Sequence, residues 1–522
     1  LRTLGEDIEA ILMDWAATAD VSWCRVLEDR PEIVTRRDHA SPVNALRGKS
    51  VAVWGCGALG GHVALHLARA GVARIVLRDN AVVTPGVLVR QPYSDADIGR
   101  PKTEALADQL RAIRAADTAF EVEGVVSNVL TAVLDSDDWT DGADVVFDCT
   151  ASRGVRVKLE AVRKNDPLAR ADIVSMIVNR NATQGLAVVA AADHTGGPAD
   201  VYRRAKIDIC RDRTLRHVAD AFYPPPSDED LFQPEPGCSS PTFVGSSADA
   251  AALSSLLLNA AASDLIASLD DDAERSTAWS HVVAQPHALA PRQASSANFA
   301  YLPDIVTSDP RRGYEVRTSA RAWEQMERWV ARSRDAVGPE VETGGLSFGE
   351  RNDAIGVVWV SEVDGPPPDS IARPDLFECG VVGTQQAHLV RERWSRGSVR
   401  YVGMWHTHPV SAPVPSPTDL GGMDKILSDG AVNPSKSLLS ILGSPHTKPL
   451  LGTFVFDRDD VREQNIRAHR LGISGVPAFI VDGQFSLSGA QDPQVIHRLL
   501  EVAREKRGEI FDTGNQISGA PS

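Results

Sequence analysis

Several absences narrow the reading before any motif does. The six cysteines form no Cys-x-x-Cys pair, which excludes a four-cysteine structural zinc and argues against a disulfide scaffold. No apolar run approaches the roughly 20 residues that a membrane span needs, and no secretory signal opens the chain, so no membrane partner and a cytoplasmic location are expected. Positive charge is in deficit: 54 Lys+Arg against 70 Asp+Glu leaves −16, and nucleic acid is not an expected partner. What remains is ordinary, with 43% hydrophobic and 24% charged residues over 522 positions, enough for two to four globular domains. The chain opens on Leu1 rather than Met, so either its start is processed or an upstream piece precedes it.

Chemistry is densest at 405–419, WHTHPVSAPVPSPTD. His406 and His408 are one residue apart, and side chains at i and i+2 of an extended strand share a face, so both imidazoles can bind one ion. Asp419 is placed to be the third ligand. Two histidines and a carboxylate leave a fourth tetrahedral position for water, as catalytic rather than structural zinc sites do. A base must still take that water's proton, and Glu342 in ETGGLSFGE is the candidate. Ser416 is a candidate hydrogen-bond donor to the oxyanion of an attacked carbonyl.

An isolated His-x-His also fits two histidines in a proline-rich loop. ETGG followed by HTHP and SPTD, however, resembles the JAMM (JAB/MPN) metalloprotease motif over about residues 312–457. The resemblance implies an α/β metalloprotease domain that acts as a zinc isopeptidase, cutting after the C-terminal glycine of ubiquitin-like proteins. It implies His406, His408 and Asp419 on zinc and Glu342 as general acid/base.

Upstream, KSVAVWGCGALGGHVALHLARAGVARIVLRDN reads strand, glycine turn, helix, strand. Gly55, Gly57 and Gly60 make a Gly-x-Gly-x-x-Gly turn that brings backbone amides and a helix N-terminus to phosphates, and Asp79 is placed to hold a ribose hydroxyl. Alone, this fingerprint predicts a dinucleotide dehydrogenase at least as well as anything else. The discriminating residues follow: Arg90, Gln91 and Lys102 in VRQPYSDADIGRPKTEAL, then Asp148 and Arg156 in VVFDCTASRGVR. Cations and a carboxylate suit a triphosphate with Mg²⁺ and the charge that moves onto departing pyrophosphate.

Here the chain resembles ThiF/MoeB-type activating enzymes over roughly residues 46–265. The resemblance implies a Rossmann-like adenylation domain with a mostly parallel sheet. Gly55, Gly57, Gly60, Asp79 and Gln91 would bind ATP, Arg90 and Lys102 would act on its phosphates, and Asp148 would position Mg²⁺. Two positions depart from the family pattern: Asp79-Asn80-Ala81 stands where Asp-x-Asp is usual, and Val87 where Asn is usual.

Residues 195–240 are too rich in proline and aspartate for regular core and resemble that family's crossover loop. Cys238 closes the loop before an Ala/Leu-rich helix, whose dipole would favour a thiolate. It is the candidate nucleophile for a thioester, with Cys210, beside Arg211, as its rival and no covalent cysteine as a third reading. Cys24, Cys56 and Cys149 read as structural.

The expected order is a helical arm at 1–45, the activating domain at 46–280, and a linker or connecting strand pair at 281–311. The metalloprotease domain follows at 312–457, then a segment at 458–507 and a disordered tail at 508–522. The 458–507 segment resembles the end of a DsbA-like thioredoxin fold, in which the proline matching Pro477 is cis; no cysteine follows Cys379, so it holds no redox pair. The chain as a whole is expected to adenylate, then load as a thioester, the C-terminal Gly of a ubiquitin-like protein, and to process it by zinc-dependent cleavage. A ubiquitin-conjugating-like enzyme and a homodimer through the activating domain are the expected partners. Activation of a sulfur-carrier protein and a scaffold with degenerate sites are the alternatives.

Overall fold

The computed structural model describes residues 2–20, 22–24, 38–115, 117–135, 138–165, 171–224, 243–267, 278–285, 296–428, 434–458, 478–481, 485–488, 497–498 and 500–501. Helix α1 (Arg2–Thr18) realises the apolar periodicity of the N-terminus, yet Ile8, Ile11, Leu12 and Trp15 are exposed.

The first unit alternates strands and helices: β1 (Ser50–Trp54), α2 (Ala58–Ala70), β2 (Arg74–Asp79), α3 (Lys102–Ile113), β3 (Glu121–Val126), α4 (Val129–Asp135), β4 (Val145–Asp148), α5 (Arg153–Asn165) and β5 (Asp172–Val178). Then come β6 (Gln184–Ala190), α6 (Pro198–Arg211), α7 (Arg216–Phe222), α8 (Ser247–Ala267), β7 (Ala278–Ala284) and β8 (Ala297–Tyr301). They build an eight-stranded sheet ordered β3-β2-β1-β4-β5-β6-β7-β8. β1 to β5 pair in parallel, and β6 to β8 continue antiparallel. The unbroken apolar runs of β1 and β4 are what a parallel sheet covered on both faces demands. One core packs Val51, Val53, Leu67 and Leu106, and a second packs Ala52, Trp54 and Trp139.

Helix α8 corrects one sequence expectation. Its 21 residues are long and apolar enough by composition to cross a membrane. In the fold Leu253, Leu257, Leu258 and Ala261 are buried in the core instead.

β9 (Ile305–Ser308) opens the second unit, followed by β10 (Glu315–Thr318), α9 (Ala320–Val337), β11 (Gly344–Asn352), β12 (Val357–Val363), the hairpin β13 (Ile371–Arg373) and β14 (Leu376–Glu378), α10 (Thr384–Trp394), β15 (Arg400–His408), α11 (Pro417–Ser428), β16 (Lys436–Gly443) and β17 (Leu450–Asp457). Its seven-stranded sheet is ordered β17-β16-β15-β11-β12-β10-β9. The stretch 281–311 therefore does more than link: it completes β7, supplies edge strand β8 of one sheet, and supplies edge strand β9 of the other. Within 458–507, β18 (Ala478–Val481) and β19 (Phe485–Ser488) pair antiparallel; Pro477 and the tail at 508–522 lie outside the described residues.

The two units are joined through buried charge. Arg317 on β10 donates to Glu160 on α5, and both side chains are fully buried. Glu160 also accepts from the amides of Gly197 (2.9 Å) and Asp200 (3.1 Å), so one carboxylate caps α6 and holds the neighbouring unit. Arg203 on α6 donates to Ser361 (2.8 Å), and Lys164 reaches the carbonyls of Ile355 and Gly356 at 2.9 and 2.8 Å. Ile207 joins Leu346, Phe348 and Val399 in one apolar cluster.

Removing one partner of a buried pair strands the other charge, which costs about 3–5 kcal/mol. Arg317→Met is therefore expected to lower stability by that order in chemical denaturation, with part regained in the Arg317→Met/Glu160→Gln double variant. A loss under about 1 kcal/mol in the single variant would mean that the α6 amides alone satisfy Glu160.

Candidate functional site

Strand β15 lies inside the second sheet and delivers both histidines. It pairs with β11 so that Gly344 faces His406 and Gly345 faces Trp405. A Cβ on Gly344 would sit 2.3 Å from the Trp405 carbonyl oxygen and 2.7 Å from His406 Cβ; one on Gly345 would sit 2.2 Å from the Asp364 carbonyl oxygen. Two glycines thus let the segment carrying Glu342 press onto the histidine strand. Thr343 and Thr407 lock it there: Thr343 N donates to Thr407 Oγ1 at 2.9 Å, and Thr407 N donates to the Thr343 carbonyl at 2.8 Å.

The imidazoles converge, with His406 Nε2 and His408 Nε2 3.1 Å apart. Asp419, in the first turn of α11, places its carboxylate oxygens 3.2 Å from His406 Nε2 and 3.5 Å from His408 Nε2. Ser416 turns Asp419 inward, because its amide donates to the carboxylate (2.7 Å) while its hydroxyl oxygen accepts from Asp419 N (3.2 Å). His408 Nδ1 lies 3.0 Å from the Ala412 carbonyl, an acceptor that suits a proton on Nδ1 and frees Nε2 for a metal ion; before one binds, burial acts to lower the ring but Asp419 and the Ala412 carbonyl raise it above its ordinary value. Burial pushes His406 down to about 4, so that ring is neutral at pH 7. Two nitrogen lone pairs and an anionic oxygen aimed at one point are the donor set of a zinc site, and these residues fit that ion.

Glu342 also belongs to the cluster: its carboxylate and the two imidazoles present ligand atoms within 4.8 Å of one another. The two acids differ in state. Burial pushes Glu342 up to about 7, with Asp419 and Asp375 adding to the shift and His408 opposing it. Burial also acts to raise Asp419, but His408 and His406 beside it and the bonds from Ser416 outweigh it and hold the carboxyl below its ordinary value. A pair of carboxyls pushed apart in this way separates a fixed anion from a proton carrier.

The glycine turn lies at the other end of the chain. Gly55 is left-handed (φ +82°), and a Cβ on Gly60 would meet the Gly55 carbonyl oxygen at 1.9 Å. Gly57 caps α2 and is different, since its nearest neighbour would be Gln91 Nε2 at 3.8 Å. The 81–102 segment wraps onto the turn: Pro92 packs against Gly61, Tyr93 donates to the Cys56 carbonyl (2.6 Å), and the Lys102 ammonium acts on the Cys56 thiol. Asp79 braces the turn by accepting from Cys56 N (2.7 Å) and Ala81 N (2.8 Å). Gln91 Oε1 is buried without a hydrogen-bond partner. Arg90 reaches the Phe243 carbonyl (3.4 Å) and stacks over that ring. Gly57 and Gln91 therefore adjoin at the turn and Lys102 lies near Cys56, while Arg90 is anchored on Phe243.

Asp148 ends β4 beside the turn: it pairs with Trp54, and a Cβ on Gly55 would meet the Cys149 carbonyl oxygen and Thr150 N at 3.0 Å. Its buried carboxylate accepts from Thr150 N (3.1 Å) and Oγ1 (2.6 Å) at Oδ1 and from Ser175 Oγ (2.9 Å) at Oδ2, bonds that fix its orientation as those of a ligating carboxylate do. Arg156 stacks on Tyr202 rather than lining the turn. Cys210 is packed against a separate apolar cluster that includes Val201, Ala205, Ile209 and Val218, and burial raises its thiol despite Arg396 and Lys206. Cys238 lies outside the described residues.

Sequence reasoning missed the hairpin β13–β14, which packs beside Glu342 and Gly344. Arg373 accepts the amide of Glu342 at 3.0 Å, Phe377 N donates to the Glu342 carboxylate, and Phe377 crowds Gly344. Only the bare glycines of ETGG signalled that something must approach so closely.

The matching family models are the ThiF family, over residues 35–276, and the prokaryotic homologs of the JAB domain, over residues 324–450. The two matches leave the DsbA-like resemblance of 458–507 without support. Among curated relatives, a CD-NTase/cGAS isopeptidase of Enterobacter hormaechei is 33% identical over 102 residues, 20% of this chain and 55% of that protein. A molybdopterin-synthase adenylyltransferase of Salmonella typhimurium is 34% identical over 147 residues, 27% of this chain and 56% of that protein. A sulfur carrier protein ThiS adenylyltransferase of Escherichia coli is 33% identical over 132 residues, 25% of this chain and 51% of that protein. The chain thus spans about half the length of these relatives.

The turn predicts a contrast between its glycines. Gly60→Ala should lower the thermal midpoint by several degrees, because its methyl group meets backbone rather than a movable side chain. Gly57→Ala, facing open space, should leave the midpoint within about 2 °C. Equal losses in both variants, measured by calorimetry, would contradict this reading of the turn.

Proposed function

We propose that this chain, in which a ThiF-family domain is followed by a prokaryotic JAB-type domain, adenylates the C-terminal glycine of a ubiquitin-like protein and also cleaves the bond that this glycine makes. The observation that carries the reading is the convergence of His406, His408, Asp419 and Glu342 in a chain that also carries Gly57, Arg90 and Lys102.

In the cleaving half, His406, His408 and Asp419 would hold zinc, which supplies Lewis acidity toward a carbonyl oxygen and toward water. Glu342 takes the proton of the attacking water and returns it to the departing amine. Its burial beneath the β13–β14 hairpin suits it to carry that proton. The Ser416 oxygen accepts from Asp419 N, so its own O–H is left to donate to the oxyanion.

In the activating half, the amides of the turn and the first turn of α2 receive phosphate, while Arg90 and Lys102 neutralise the charge that passes to pyrophosphate. The modifier's C-terminal carboxylate attacks the α-phosphorus, an acyl-adenylate forms and pyrophosphate leaves. No step is assigned to Asp148. Transfer to Cys238, a conjugating-type acceptor, a homodimer and a cytoplasmic site of action complete the proposal. A second reading, activation of a sulfur-carrier protein, is favoured by the relatives named for molybdopterin synthase and for a sulfur carrier. Product analysis separates the two: a thioester to protein supports conjugation, and a carrier thiocarboxylate formed with added sulfide supports sulfur transfer.

Two outcomes are expected. Glu342→Gln should keep bound zinc and the fold while cleavage of a modifier fusion falls by about 10² to 10⁴, whereas Asp419→Asn should lose zinc itself. Low zinc in Glu342→Gln, by elemental analysis, would make Glu342 a ligand instead of a base. Separately, Lys102→Ala should abolish modifier-dependent exchange of labelled pyrophosphate into ATP and leave fusion cleavage intact. Normal exchange would remove Lys102 from the phosphate site.

A further inference from the structure

The segment from Ala81 to Lys102 leaves β2 and returns to the start of α3, and its ends are tied: Lys102 N donates to the Ala81 carbonyl at 3.0 Å, and Val82 bridges Pro101. Between them Ser94 and Asp97 close a capping box, and Pro92 packs against Gly61, where a Cβ would meet Pro92 Cγ at 2.8 Å. This packing carries Tyr93 against the glycine turn. The residue is buried in the core of Val51, Leu67 and Leu106, yet its hydroxyl ends on two backbone carbonyls, that of Cys56 at 2.6 Å and that of Lys102 at 3.3 Å. The single O–H donates to the nearer one.

The Cys56 carbonyl decides what the turn can bind. A peptide unit is planar and trans, so its C=O and its N–H point in opposite directions. By holding the Cys56 carbonyl, Tyr93 also aims the Gly57 amide, the other half of the same peptide unit, away from itself. Cys56 N is already spent on Asp79 at 2.7 Å, whereas Gly57 N has no acceptor among the described residues. Gly57 is the N-cap of the 13-residue α2, so its amide is a donor available to an anion at the turn. Burial raises the pKa of Tyr93, with Cys56 and Asp79 adding, so the O–H stays protonated and remains a donor.

Resting on the adenylation reading, we propose that Tyr93 is a positioning residue of the nucleotide site. Its hydroxyl sets the Cys56–Gly57 peptide so that the Gly57 amide meets a phosphate of ATP, and it steadies the start of α3 so that Lys102 reaches the same triphosphate. Phenylalanine would fill the same space but leave the Cys56 carbonyl without its donor, and the peptide unit would be free to turn. Recognition of phosphate would then suffer, and recognition of adenosine would not.

Equilibrium binding of ATP with Mg²⁺ to the full chain tests this, beside adenosine, which carries no phosphate, measured by competition. Tyr93→Phe is expected to weaken ATP about tenfold, the effect of losing one charge-assisted hydrogen bond, and to leave adenosine within about twofold. Binding is read well below the thermal midpoint of each variant, because an unsatisfied buried carbonyl lowers stability by itself. The assignment is overturned if folded Tyr93→Phe binds ATP as the unaltered chain does. It is also overturned if adenosine weakens as much as ATP, since the hydroxyl would then serve only the packing of the turn. If the unaltered chain binds no ATP, the adenylation reading fails and this assignment falls with it; in the other two cases this assignment fails alone.

Discussion

The contact between Arg317 and Glu160 is the constraint on which the arrangement of the two units rests. Both side chains are wholly buried, and a buried charge is tolerated only when its remaining donors or acceptors are also satisfied. Glu160 meets that condition by capping α6; Arg317 meets it in part, through a second carboxylate, Glu315, and the Trp359 ring against its guanidinium, with Nη2 left without a partner among the described residues. The pair forms only if β10 of one unit and α5–α6 of the other are both folded and correctly placed. Apolar packing of Ile207 against Leu346 and Phe348 would tolerate a slide along the surface; the ion pair does not, because displacement leaves charge in a dry interior.

That placement reaches the zinc-site strand. Leu346 and Phe348 sit on β11, two and four residues after Gly344, and Gly344 is the residue opposite His406. Helix α6 of the activating unit therefore backs the strand that carries Glu342 to the histidines. A site of this kind needs its groups held to within a fraction of an ångström, and here a strand pairing, two glycines and the Thr343–Thr407 lock supply that precision.

The residues legible in the sequence were those whose spacing carries their geometry. His406 and His408 share a face because strands repeat every two residues, and Ser416 meets Asp419 because both belong to one helix start. The glycine turn was legible because Gly55 needs a left-handed backbone and Gly60 needs room. Where a contact depended on a distant partner, the sequence was silent. Asp148 meets Ser175 on the neighbouring strand, which no local pattern announces. Glu160 and Arg317 are 157 positions apart, and no periodicity links them. The stretch 281–311 read as linker or paired strands because short edge strands bury one face weakly and leave little pattern to detect.

On the proposed reading two opposed activities would share a chain: adenylation would make a modifier's carboxylate reactive, and cleavage would regenerate that carboxylate from a conjugate. Their chemistries do not interfere. One set is cationic and amide-rich, with Arg90, Lys102 and the turn selecting phosphate; the other is imidazole and carboxylate, with His406, His408 and Asp419 selecting a metal ion. The two donor sets would then not compete for a ligand: guanidinium, ammonium and amide groups attract an anionic nucleotide, whereas imidazole nitrogens and a carboxylate attract a cation, so each half of the chain could be loaded independently of the other.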